Sequence, residues 1–208
     1  MTAAAWRWDL GSPAVTGDLI LRLQKYRDLA HVPTPIREAA EGAAAEARRL
    51  VTPVAVCWRG PVRCDAGAGV VVLDGSHAFR SHALARLLAP AGEAVVVVLT
   101  LGEALERRAA DLFAAHLPLE SVLLDTAGWA ALELLVREVR RRLAAEARAA
   151  GRRVTHRLAP GYRDWPVEEQ AALLRVFGDT PLPVRVTEAA WLVPVKSLSA
   201  VFGIVPGA

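Results

Sequence analysis

The 208-residue chain is poor in the residues that mark several function classes. It has two cysteines, Cys57 and Cys64. Two are too few for a disulfide framework, so both are expected as core thiols of a cytoplasmic protein. No uncharged apolar run reaches the roughly 18 residues that a membrane span needs. The opening MTAAAWRWDLGS lacks the basic start and apolar centre of a secretory signal. Gly67-Ala-Gly69 is half of a dinucleotide fingerprint with no third glycine, and no phosphate-loop lysine motif occurs. His31, His77, His82, His116 and His156 include no HExxH pair. His77 and His82 could meet on a turn but lack an obvious third ligand, so no metal site is expected. The absence of a Gly-x-Ser-x-Gly elbow removes that route to acyl transfer.

What is present suits a globular core. Apolar residues make up 53% of the chain, with no internal repeat and no low-complexity linker. One domain over 1–208 is expected, with a helical N-terminal part over about 1–52 and a core over about 53–208. The net charge of +3 allows an acidic partner without requiring one. The arginines between Arg137 and Arg153 alternate with Glu138 and Glu146 and lack exposed aromatics. That pattern predicts a solvated helix face and no nucleic-acid surface.

Trp6, Trp8 and Leu10 alternate as a short strand would. Helices are predicted over Asp18–Leu29, with Asp18 as cap, and over Ile36–Val51 after Thr34-Pro35. Pro53–Trp58 reads as a strand, 59–69 as a turn-rich hairpin region, and Val70–Leu73 as a returning strand closed by Asp74-Gly75. A short helix follows over His82–Leu88. Ala94–Thr100 is the clearest central strand. A helix over Glu103–His116 should face Leu105, Leu112 and Phe113 inward, and the longest helix runs from Glu120 to about Ala149, ending at Gly151. Short strands are predicted at Val154–Arg157, Val184–Thr187 and Leu198–Ile204. Helices and strands mix without strict alternation, which favours α+β over doubly wound α/β.

The last quarter holds the densest chemistry. Pro160-Gly161 places a turn just after Arg157, and Gly161 leaves the backbone open to close approach. Tyr162 adds a flat ring and a hydroxyl, and Arg157 a planar fork suited to a carboxylate or phosphate. Asp164-Trp165-Pro166 then opens a short helix with Leu173, Leu174 and Phe177 on its apolar side. Two readings stand: a clamp for a small carboxylate ligand, or a turn whose arginine pairs with a surface carboxylate.

These blocks resemble the reactivation domain of cobalamin-dependent methionine synthase, especially its free-standing versions. Arg157 with Pro160-Gly161-Tyr162, Thr187-Glu188, Pro194, Ser197 with Ser199, and Phe202 match its C-terminal segments. Thr100-Leu-Gly102, Leu124-Asp125-Thr-Ala-Gly128 and Glu133 resemble its middle block. The likeness spans roughly 18–204 and implies an activation-domain α+β fold: a mixed or antiparallel central sheet with flanking helices, one of them long. By resemblance the chain binds S-adenosylmethionine for the reductive methylation of cob(II)alamin to methylcobalamin. The cobalamin would sit on a partner, a methionine synthase or another corrinoid protein, and the electron would come from a flavodoxin-like or other reductant. No nucleic acid or membrane partner is implied. Arg157 would bind the methionine carboxylate and Glu133 its ammonium. Ala159, Gly161 and Tyr162 would line the groove with Phe202 also at the ligand, and Glu188 would either orient the turn or contact the ligand.

The chain departs from that pattern at Phe202, where the long enzyme has a tyrosine, and at Ala189 and Ala200. Its N-terminal acidic ligand residue has only Asp9 and Asp18 as stand-ins. The corrinoid-holding Asp-x-His-x-x-Gly signature is absent, since Asp74-Gly-Ser-His77 has the wrong spacing. A non-catalytic docking or corrinoid-handling module is the competing function.

Overall fold

The computed structural model describes residues 3–207. Strand β1 (Ala4–Asp9) opens the chain, followed by helices α1 (Gly17–Leu23) and α2 (Thr34–Leu50). Thr16, and not Asp18, caps α1: its side chain accepts from the Leu19 amide at 3.2 Å. Asp18 sits in the first turn, where its charge suits the helix dipole. The helix stops short of Leu29 because Lys25 turns left-handed, at φ 70°, and a 3-10 turn over Leu29–His31 follows. Helix α2 begins at Thr34-Pro35 and buries Ala40, Ala43, Ala44 and Ala47 at helical spacing.

Strands β2 (Val54–Asp65), β3 (Val70–Leu73) and β4 (His77–Arg80) lead to α3 (His82–Leu88) and β5 (Glu93–Thr100). The hairpin region expected at 59–69 is narrower, because β2 runs on to Asp65. Its first half pairs with β1 and its second half with β3. Strand β4 escaped the sequence reading, since only Phe79 of its four residues is buried. Then come α4 (Ala104–Ala114), α5 (Pro118–Ala149), β6 (Arg152–Val154), α6 (Gln170–Leu174) between two 3-10 turns, β7 (Arg185–Val186), β8 (Leu192–Val193) and β9 (Ser197–Pro206). The sheet runs β4-β3-β2-β5-β9-β6 with β1 on the edge of β2, and every described pairing is antiparallel. Strands β7 and β8 form a separate hairpin. The architecture is the α+β fold that the sequence predicts.

Every residue of β5 is buried. Val95, Val97 and Leu99 join the core under α1, α2, α4 and α5. Ala94, Val96 and Val98 join the core on the other face, with residues of α3 and α6. Two covered faces explain an unbroken valine run in place of alternation. Each of these valines, fully buried, contributes about 1.5–3 kcal/mol before conformational entropy is set against it.

Phe113, expected inward, is 67% exposed. Leu105, Ala109 and Leu112 already form the buried stripe of α4, and the next residue lies about 100° round the helix. On α5, a Cβ at Gly128 would lie 2.9 Å from Leu105 Cδ2 and 3.0 Å from Lys196 Cε. Glycine there lets α4 and the β8–β9 connection close on the long helix. The charged far half of α5 carries a surface network in which Glu138 accepts from Arg141 and Arg142.

Candidate functional site

Beyond β6 the chain makes one bridge with β9. Leu158 N donates to Val201 O at 3.1 Å, and Val201 N returns to Leu158 O at 2.7 Å. It then leaves the sheet through Ala159-Pro160-Gly161-Tyr162. Gly161 sits at φ 87°, a backbone state that side chains disfavour. The turn is closed by its own amides: Tyr162 N donates to Ala159 O at 3.1 Å, and Gly161 N to Trp165 O at 2.8 Å. Trp165 anchors it, buried edge-on against Phe79 with its indole donating to Glu169 at 2.7 Å. Tyr162 is left 63% exposed at the tip.

A groove of about 330 Å³ lies between this turn, α5, the start of α6 and the β7–β8 hairpin. Trp129, Tyr162 and Trp191 line it, each with a large exposed ring face. Its polar lining is Ser197, Ser199 and buried Gln170, whose amide donates to Ser199 Oγ at 2.7 Å. Trp129 is held from behind by Lys196, whose ammonium lies 4.7 Å from the ring centroid and donates to Asp125 at 2.6 Å. Glu106 accepts from the amides of Val195 and Lys196, fixing the strand that leads into β9.

Arg157 and Glu133 meet, with Arg157 Nη2 to Glu133 Oε1 at 2.8 Å, but neither is among the residues that line the groove. Glu133 stands one turn beyond Trp129 on the same side of α5, and Arg157 stands two residues before Ala159. Glu133 is 51% exposed at its side chain, so the pair alone contributes little stability, about 0–1 kcal/mol. The other Arg157 amino group, Nη1, is buried and has no hydrogen-bond partner. A buried charged donor without an acceptor costs upwards of about 1–3 kcal/mol. The structure shows the second reading of this arginine, a pairing with a half-exposed carboxylate, and leaves its other terminal nitrogen without a partner.

Ala159 and Tyr162 line the groove, with Gly161 in the turn between them. Glu188 is exposed on the β7–β8 turn beside Ala189, which lines the groove. Phe202 is not at the groove. It is 1% exposed and packs toward α5 with Val136 and Val139, because residues 198, 200 and 202 of β9 share the face under that helix. Asp9 and Asp18 do not line the groove either, and they pair with Arg7 and Arg37. Trp191 and the Gln170–Ser199 pair were missed as site residues. A tryptophan next to an apolar strand reads as core, and only the fold shows its exposed face.

No family model and no curated protein matches the sequence. Among solved structures the chain is similar to the MetH reactivation domain bound to AdoHcy, with a TM-score of 0.65 and 11% identity. The match covers 99% of this chain and 79% of that one. At that identity the likeness shows a shared fold.

Proposed function

We propose that the chain is an activation subunit that binds S-adenosylmethionine in the groove and presents its methyl group to cobalamin carried by a partner protein. The observation that carries this reading is the pairing of Arg157 and Glu133. One ion pair leaves a guanidinium nitrogen and a second carboxylate oxygen without a partner, and a ligand reaches the enclosed nitrogen only by displacing the atoms that cover it. An amino-acid tail supplies the complement, its carboxylate to Arg157 Nη1 and its ammonium to Glu133 Oε2. Four alternating charges then close a ring, and the unpartnered nitrogen is satisfied. The aromatic faces of Trp129, Tyr162 and Trp191 suit a flat base, and the Gln170–Ser199 pair adds polar groups that could meet its edge. The fold shared with a domain bound to AdoHcy supports the ligand class.

The sulfonium methyl is already activated, so the chain needs no acid or base for transfer; it contributes position. Cobalamin on the partner supplies the nucleophile. One electron from a flavodoxin-like or other reductant converts cob(II) to cob(I), the cobalt–carbon bond forms, the sulfur–methyl bond breaks, and S-adenosylhomocysteine leaves. The partner is a cobalamin-dependent methionine synthase or another corrinoid methyltransferase. Burial of Phe202 in the core removes one argument for a docking-only module, because the missing tyrosine hydroxyl is not lost from the groove. Incubation with labelled S-adenosylmethionine, a reductant and a cob(II)alamin-loaded partner tests the proposal. Label on cobalt is expected, and far less with Arg157→Ala. No label while the spectrum shows cob(I) forming would defeat it.

A further inference from the structure

A second cavity, of about 320 Å³, opens between α3 and the same turn, and it shares no lining residue with the groove. Ala83, Leu87 and Leu158 give it apolar walls. Three exposed cationic or protonatable side chains complete it, from three separate segments: Arg86 on α3, His156 after β6, and Arg163 on the turn. No carboxylate lines it. The acid adjacent in sequence, Asp164, is committed elsewhere. It accepts from Ser81 Oγ at 2.8 Å, His82 N at 2.7 Å and Ala83 N at 3.1 Å, which ties the turn to the start of α3. Among the described residues, none of the Arg86, His156 and Arg163 side chains is ion-paired or hydrogen-bonded, so their charge at the mouth is uncompensated.

The geometry points to a binding site for the phosphate group of a small molecule in this cavity, held by Arg86, His156 and Arg163. Guanidinium forks match phosphate oxygens two at a time, and a phosphate carries enough oxygens to engage donors from all three segments at once. A carboxylate, with two oxygens, would leave one donor poorly served. The volume is at the lower end for small-molecule pockets, which favours a phosphorylated metabolite over a folded partner. Leu158 and Arg163 line this cavity while Ala159, Pro160 and Tyr162 line the groove, so the two sites share one turn.

Arg163 offers a clean test. Its φ of 60° is left-handed, so Arg163→Gly removes the guanidinium and relieves backbone strain together. Calorimetric titration with inorganic phosphate and with pyrophosphate is the measurement, and neither S-adenosylmethionine nor cobalt is needed. The site predicts saturable binding of at least one probe. It should weaken about tenfold or more in Arg163→Gly and in Arg86→Ala, as for loss of one charge-assisted contact. Arg163→Gly should melt no lower than the parent, and Arg49→Ala, an exposed arginine on α2, should bind as the parent does. The proposal is overturned by an absence of saturable binding, by binding that survives both substitutions, or by an equal loss in Arg49→Ala. Binding of an oligoglutamate peptide that phosphate does not displace would also overturn it, in favour of an acidic protein partner.

Discussion

Arg157 carries two demands at once: it holds Glu133 at 2.8 Å and keeps a second nitrogen buried without an acceptor. Arg157→Ala should not lower the melting temperature, since the existing pair is exposed at its acidic end and the buried unpartnered nitrogen is removed with it. The same change should weaken S-adenosylhomocysteine roughly 10- to 100-fold, because a charge-assisted hydrogen bond is worth about 1.5–3 kcal/mol. Asp164 behaves oppositely. The Ser81 hydroxyl and the amides of Ala83 and His82 hold its carboxyl down at about 2, against an ordinary value of 3.8. Its contribution to stability is therefore complete above pH 4 and fades as pH falls toward 2. Asp164→Asn should lower the melting temperature at neutral pH and converge with the parent near pH 2, as thermal denaturation across that range would show. Cys57 is pushed up to about 12 by burial and by the charge of Glu146, so it should stay unreactive toward a thiol reagent at pH 8 in the folded chain.

Elements whose own apolar pattern decided their burial were legible from sequence: β5 by its unbroken run, and α2, α3 and the long α5 by helical spacing, fall within a residue or two of expectation. Elements defined by neighbours were not. Strand β4 has one buried residue and exists because β3 offers it an edge, and Phe113 is exposed because other residues already fill the α4 seam. Gly128 is a further case. Helix propensity alone favours Gly→Ala by about 1 kcal/mol. The contacts at 2.9 Å and 3.0 Å with Leu105 and Lys196 oppose it. Overpacking of this kind costs about 1–3 kcal/mol, so Gly128→Ala should destabilise the chain in urea titration.

Over the whole molecule, the Arg157 block left open a clamp or an arginine paired with a surface carboxylate, and the Arg157–Glu133 contact across 24 residues is such a pairing, formed by chain neighbours of the groove residues Ala159 and Trp129. The groove's aromatic wall was not legible, because Trp129 and Trp191 come together only once α5 and the β7–β8 hairpin pack around the turn. Ligand entry should therefore change tryptophan emission, and Trp191→Ala should remove most of that change if its exposed ring covers the ligand. The sharpest test is isothermal titration of S-adenosylhomocysteine into the parent chain, Arg157→Ala and Glu133→Gln. The account predicts one saturable site in the parent, severely weakened by the first substitution and less so by the second. Equal affinity in all three proteins, or no binding in any, would contradict it.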